Sequence, residues 1–197
     1  MSAKHNNPSN PAWAFAANHT YFWASAEKGF TKDECAEIIS LGSRLISERA
    51  ITIGGADDLR DSEIAWIHPS EESNWLYQRM TELVLNINEQ FFKFDLFGLL
   101  EGIQFTKYSA PAGRYGKHVD SWVKGPVRKL SFTLQLSDPQ EYEGGELRLY
   151  FKDDPEVMPK PQGAITLFPS YVLHEVTPVT KGTRYSLVAW VTGKPFV

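Results

Sequence analysis

The hydrophobic rhythm of this chain changes near residue 99, and that change constrains the fold more than any other property of the sequence. Two earlier stretches carry apolar residues at three- and four-residue steps, the period of a helix with one buried face. From residue 99 onward the apolar residues instead alternate in short runs, rich in aromatic and β-branched side chains and separated by Gly and Pro turns. That is the rhythm of a sheet protein preceded by helices.

The first helix is expected to start at Thr31-Lys32-Asp33-Glu34, which has the Thr-x-x-Glu form of a capping box. Ile38, Ile39, Leu41, Leu45 and Ile46 give it an apolar face to about residue 48. A second helix is expected from Ser73 or Asn74, with Leu76, Met80, Leu83, Val84, Ile87 and Phe91 on one side and Gly98 beyond its end. Residues 1–18, rich in Asn, Ala and Pro, read as an irregular arm before a short aromatic strand at Tyr21-Phe22-Trp23.

The period-two segments fall at about 99–109, 115–121, 128–137, 146–151, 163–168, 171–176 and 183–192, and segments at 19–25 and 62–68 join them. About nine strands with two helices make a mainly β protein with flanking α, a sandwich or jelly roll with the helices packed outside. At 197 residues the chain is expected to form one domain spanning 1–197, with its core at about 99–192.

A net charge of -4 with no basic run argues against binding nucleic acid through its phosphates. Cys35 is the single cysteine, so no disulfide forms within the chain, and a cytoplasmic protein is expected. No run of 18 apolar residues occurs, so membrane insertion is not expected. Oligomeric state is left open by the sequence.

The chemistry concentrates in His118-Val119-Asp120, His174, and Arg184 ten residues further on. Two imidazoles and one carboxylate hold a divalent iron on three adjacent corners and leave other positions open. His118 and Asp120 are two apart, so on a strand both leave the same face. Arg184 is permanently charged and forked to meet a carboxylate in two hydrogen bonds. In the segment Leu130–Leu136, Ser131, Thr133 and Gln135 fall on the face opposite the leucines, and a polar face inside a barrel lines a cavity. The same parity puts Arg184, Ser186, Val188 and Trp190 on one face. Taken alone, His-x-Asp is a common chance match, and its plain reading is a solvated pair in a surface turn.

With its surroundings, this stretch resembles the Fe(II)- and 2-oxoglutarate-dependent dioxygenases, in particular prolyl 4-hydroxylase-like enzymes of small bacterial or phage type. The run from Tyr108 through Arg114 and Tyr115 to His118 and Asp120 is similar to the approach to their metal motif. Gly144-Gly145-Glu146-Leu147 matches their Gly-Gly-x-Leu turn, and Leu173-His174 through Arg184 to Trp190 matches their tail. Arg60 with Ile64-Ala65-Trp66-Ile67 resembles the substrate-side loop and strand of oxygen-sensing prolyl hydroxylases. Collagen-type enzymes carry Lys where this chain has Arg184, so the resemblance at that end is to the oxygen-sensing and bacterial branches.

The resemblance, which covers roughly residues 60–192, implies a double-stranded β-helix and cytoplasmic action in a bacterial or phage-infected cell. It implies His118, Asp120 and His174 as iron ligands and Arg184 as the partner of the distal carboxylate of 2-oxoglutarate. Tyr108 and Gln135 would contact that co-substrate, dioxygen would be the oxidant, and ascorbate is a candidate reductant. Tyr115, Trp190, Leu147 and Arg60 are the candidate substrate-pocket residues, with Val188 adding to a dry wall.

Other readings stay open at this point. Tyr108 and Tyr115 also suit packing against the helices, Trp190 also suits a core, and Arg184 also suits an exposed pair with Glu175, a bond worth little. Gly144 and Gly145 suit a turn with positive φ. The loop Gly54–Arg60 is either a lid over an extended substrate or an ordinary mobile connection. The implied reaction is hydroxylation of a prolyl residue in a protein or peptide, with release of succinate and carbon dioxide. The alternatives are the same chemistry on a free amino acid or small metabolite, and a non-catalytic metal-binding jelly roll.

Overall fold

In the computed structural model, which describes residues 2–6, 20–50, 59–121 and 125–195, the change of rhythm becomes two helices set against antiparallel sheets. The first part of the chain contains β1 (Ser2–Asn6), β2 (Thr20–Ala26), α1 (Lys32–Arg44), β3 (Glu48–Arg49), β4 (Arg60–Asp61), β5 (Glu63–Ile67) and α2 (Asn74–Ile87). A π-helical turn at Asn88–Phe92 ends the helical part. There follow β6 (Leu96–Leu99), β7 (Ile103–Ser109), β8 (Arg114–His118), β9 (Arg128–Gln135), β10 (Tyr142–Gly144) and β11 (Leu147–Tyr150). The last strands are β12 (Glu156–Val157), β13 (Ile165–Pro169), β14 (Leu173–Val176) and β15 (Val179–Gly193).

The major sheet runs β1-β2-β13-β9-β15-β7-β5-β3, with β6 and β10 pairing to other stretches of the long β15. The minor sheet runs β12-β11-β14-β8-β4. Facing each other, the two form the double-stranded β-helix, or jelly roll. Its sides are set by alternation. Leu130, Phe132 and Leu134 of β9 join Ile165, Leu167 and Leu187 in a core with Ile38 of α1 and Leu76, Met80 and Ile87 of α2. A second cluster bridges the sheets, with Tyr108, Tyr142 and Phe168 from one and Leu147, Leu149 and Val176 from the other.

The capping box forms as read: Glu34 N–H donates to Thr31 Oγ1 at 3.2 Å and Thr31 N–H to Glu34 Oε2 at 2.6 Å, an arrangement worth about 1 kcal/mol. The far end of α1 differs from expectation. It stops at Arg44, Leu45 turns extended, and Ile46 is 95% exposed rather than part of an apolar face. The chain must leave the helix there to pair Glu48 with Ile64 in the β3–β5 ladder. Gly42 permits the close packing of α1 on β7, since a Cβ there would lie 2.4 Å from the Phe105 ring. After α2, the Asn88 side chain closes the exit by donating to Phe94 O and accepting from Phe94 N–H.

All nine expected strands are present, and six short ones join them among the described residues. Part of the expected irregular arm is one of these: Ser2–Asn6 pairs antiparallel with β2. The proposed lid Gly54–Arg60 lies outside the described residues except for Leu59 and Arg60, the second of which begins β4. Among the described residues no helix is long and apolar enough to cross a membrane.

Candidate active site

His118 and His174 stand opposite each other in the β8–β14 ladder, so both imidazoles leave one face of the minor sheet. Asp120 is not on the strand with His118 as strand parity predicted, because β8 ends at His118. The chain turns there, and the N–H groups of Asp120 and Ser121 both donate to Ser170 O, at 2.9 and 3.0 Å. This anchor brings Asp120 Oδ1 to 3.6 Å from His118 Nε2 and Asp120 Oδ2 to 3.5 Å from His174 Nε2. The three ligand atoms lie within 4.8 Å of one another.

Each of these groups is oriented by a second contact. His118 Nδ1 lies 2.8 Å from Gly116 O, and His174 Nδ1 2.9 Å from Val172 O. A carbonyl only accepts, so each Nδ1 carries the proton, and a neutral ring turns the Nε2 lone pair to the shared space. Ser131 Oγ donates to Asp120 Oδ2 at 2.6 Å. Tyr115 stacks on His118 at 3.5 Å between centroids, and Arg60 lies 4.5 Å over Tyr115. Phe168 meets His174 edge-on at 4.8 Å.

Burial alone would raise the Asp120 pKa, but His174, His118 and the Ser131 hydroxyl outweigh it and hold the carboxyl well below its usual range. Burial, aided by His118, pushes the His174 pKa below its ordinary value despite the opposing pull of Asp120. A carboxylate beside a neutral imidazole is the pair we infer, since burying a second charge here costs more than the ion pair returns. It is also the protonation state a divalent metal requires, and the donor set of two nitrogens and one oxygen suits iron.

The opposite wall comes from the major sheet. Across β9 and β15, Ser186 faces Gln135, Val188 faces Thr133 and Trp190 faces Ser131, so the two rows identified by parity are neighbours. Arg184 is 2% exposed. Its Nε and Nη2 donate to Gln135 Oε1 at 3.1 and 2.9 Å, and its Nη1 to Ser186 Oγ at 3.3 Å. Its guanidinium carbon lies 5.3 Å from the centre of the Tyr108 ring. The alternative pairing with Glu175 does not occur, because Glu175 accepts from Tyr150 at 2.5 Å on the far side of β14. No carboxylate partners Arg184 among the described residues, and Gln135 and Ser186 take three of its five N–H groups.

A cavity of about 640 Å³ joins the two ends. Of the residues that the sequence placed around the cavity, all line it except Gln135, which sits behind Arg184 and holds it, and Ser131, which sits behind Asp120 and donates to it. Tyr108 and Tyr115 line the cavity and pack in the cluster between the sheets rather than against the helices, and Trp190 lines it beside Trp66. Gly144 and Gly145 adopt φ of 77° and 59°, as their turn requires.

Arg128 is the main residue that the sequence reading missed. It grips Glu101 in a fork at 2.8 and 2.5 Å, donates to Asp120 O at 3.3 Å, and covers the Trp190 ring at 3.9 Å. By simple alternation it would share the core face of Leu130. A bulge at Lys129, where Val191 pairs with Leu130 but Thr192 with Arg128, turns it to the cavity. Trp66, 6.3 Å from Trp190 between ring centroids, closes the same wall.

Comparison with known proteins follows this geometry. Residues 103–192 match the model of the 2OG-Fe(II) oxygenase superfamily. A PKHD-type hydroxylase of Prochlorococcus marinus is 44% identical over 93 residues, which is 47% of this chain and 42% of that protein. The chain thus spans about half the length of the curated relatives it matches. Among solved structures, a Pseudomonas putida prolyl-4-hydroxylase superposes with a TM-score of 0.66 at 25% identity, covering 88% of this chain and 94% of that one. A Trichoplax adhaerens prolyl hydroxylase in complex with a hypoxia inducible factor oxygen degradation domain peptide fragment shares the fold, with a TM-score of 0.73 at 18% identity, covering 87% and 84%.

Proposed function

We propose that this chain, whose residues 103–192 match the model of the 2OG-Fe(II) oxygenase superfamily, is an Fe(II)- and 2-oxoglutarate-dependent hydroxylase acting on a prolyl residue of a protein or peptide. One observation carries the reading: a buried guanidinium without a carboxylate partner among the described residues shares a cavity with a His-Asp-His triad. A buried cation without a counter-ion is costly, and a dicarboxylate that also reaches the metal supplies one. A purely structural metal site has no use for that cation. With Fe(II), 2-oxoglutarate and dioxygen bound, the chemistry supplied is insertion of one oxygen atom into a C–H bond, with succinate and carbon dioxide released.

The chain's own residues perform the rest. His118, Asp120 and His174 hold the metal, with Ser131 and the Gly116 and Val172 carbonyls fixing their orientation. Arg184, set by Gln135, takes the far carboxylate of 2-oxoglutarate, and Tyr108 lies beside it. Trp66, Trp190 and the aliphatic stem of Arg128 form an apolar wall suited to a pyrrolidine ring. The Trp190 indole N–H is buried with no acceptor among the described residues, and a substrate carbonyl is a suitable one. The peptide fragment bound by the Trichoplax prolyl hydroxylase, which shares this fold, supports a peptide substrate. The lone, buried Cys35 supports work in the reducing cytoplasm.

The test has two stages. Under anaerobic conditions the protein with Fe(II) should develop a visible charge-transfer band on addition of 2-oxoglutarate, and iron binding without that band would refute the co-substrate assignment. In air, succinate formation should rise with a proline-containing peptide that gains the mass of one oxygen. Stimulation by free amino acids or metabolites alone would overturn the peptide assignment and leave the chemistry standing.

A further inference from the structure

The hydroxyl of Tyr142 is buried, its oxygen lies within reach of the Arg184 guanidinium, and its O–H finds no acceptor among the described residues. Its ring cannot easily swing to find a partner. Tyr142 pairs with Gly182 across the β10–β15 ladder, two residues before Arg184. The Lys160 ammonium lies 4.8 Å from the ring centre and donates to Gly144 O at 3.0 Å, tying the ring to the following turn. A Cβ on Gly145 would fall 2.8 Å from Arg184 Cδ and 3.3 Å from Tyr142 Cε2, so the arginine stem and the phenol ring flank one glycine.

The phenol is a neutral donor. Burial raises its pKa, and the Arg184 charge beside it only partly reverses the shift. The guanidinium beside it has N–H groups and no acceptor. The O–H therefore needs an acceptor from outside the described protein, beside the part of the Arg184 guanidinium that Gln135 and Ser186 leave open.

We infer that Tyr142 is a co-substrate-binding residue: its O–H donates to the carboxylate that Arg184 also takes. The inference rests on the proposed function and extends it, because a cradle of guanidinium and phenol donors selects a dicarboxylic oxo acid over a monocarboxylic one. Gln135 and Ser186, by contrast, occupy the guanidinium's other N–H groups and position it.

Tyr142→Phe removes the hydroxyl and nothing else. Titration of 2-oxoglutarate into the anaerobic Fe(II) protein, followed by the charge-transfer band, should give a Kd at least about tenfold higher in the variant, the ordinary effect of losing a hydrogen bond to a charged group. With 2-oxobutanoate, which keeps the oxo acid but lacks the distal carboxylate, the two proteins should bind equally. Without any co-substrate the variant should melt no lower than the wild type, since the buried O–H it loses has no acceptor in the protein. An unchanged Kd for 2-oxoglutarate would overturn the inference, and so would an equal loss with both oxo acids, which would mark Tyr142 as structural. A wild-type protein that binds iron but gives no band with 2-oxoglutarate would refute the proposed function itself.

Discussion

The two sheets that enclose the cavity are supported in opposite ways. Behind the major sheet lie α1 and α2, and every residue of β9 is buried. The minor sheet is built of strands of two to five residues, and behind it is a charged surface: Arg148 with Glu146 and Glu175, and Lys117 over Tyr150. Yet the thinner sheet carries both histidines, and the thicker one carries Arg184 and its partner Gln135. Rigidity at the histidines comes from hydrogen bonds local to each residue, whereas rigidity at Arg184 comes from the packed sheet. The metal end is therefore self-satisfied and sensitive to single polar groups, and the anion end is mechanically firm but electrically incomplete.

Asp120→Ala should have the largest effect. It removes a ligand oxygen and leaves the Ser131 hydroxyl without its acceptor, so iron binding and turnover should both be lost. Isothermal titration with the metal and a succinate assay check this, and retained activity would remove Asp120 from the site. Arg184→Met should raise the 2-oxoglutarate requirement at least about a hundredfold while leaving the protein folded. Loss of an unpaired buried charge offsets the stranded Gln135 oxygen, so stability should stay within about 2 kcal/mol of wild type. A variant that unfolds would show that the anion end is structural.

Leu134→Ala, in the middle of β9, should cost about 2–5 kcal/mol in chemical denaturation. Tyr150→Phe, which deletes the bond to Glu175 on the outer face of the minor sheet, should cost under about 1 kcal/mol. Equal costs would erase the difference between the sheets. The smallest functional change is expected from Ser131→Ala, which should weaken iron binding by about 10- to 100-fold without moving the 2-oxoglutarate affinity of the iron-loaded protein.

Much of this arrangement is legible in the sequence because alternation is a local property. The polar row Ser131, Thr133 and Gln135 and the row Arg184, Ser186, Val188 and Trp190 follow from parity alone, and the ladder then brings them side by side. The two-residue strands β3, β4 and β12 are too short to show a period and exist only because a neighbour offers a ladder. Arg128 was hidden by a bulge, and its partner Glu101 lies in a turn with no pattern of its own. Asp120 joins the two histidines from the turn after β8 rather than from the strand on which parity puts it. Tyr142 reads as an ordinary strand aromatic, and only the missing acceptor for its O–H distinguishes it.

The opposition of His118 and His174 in one ladder gives the fold a means of proofreading. Were β8 to slip by a single residue against β14, one imidazole would turn to the solvent side and the triad would be broken. Only the correctly registered chain would keep the metal, so binding would draw the population toward that register. The ion would then act as an inspector of assembly before it takes any part in chemistry.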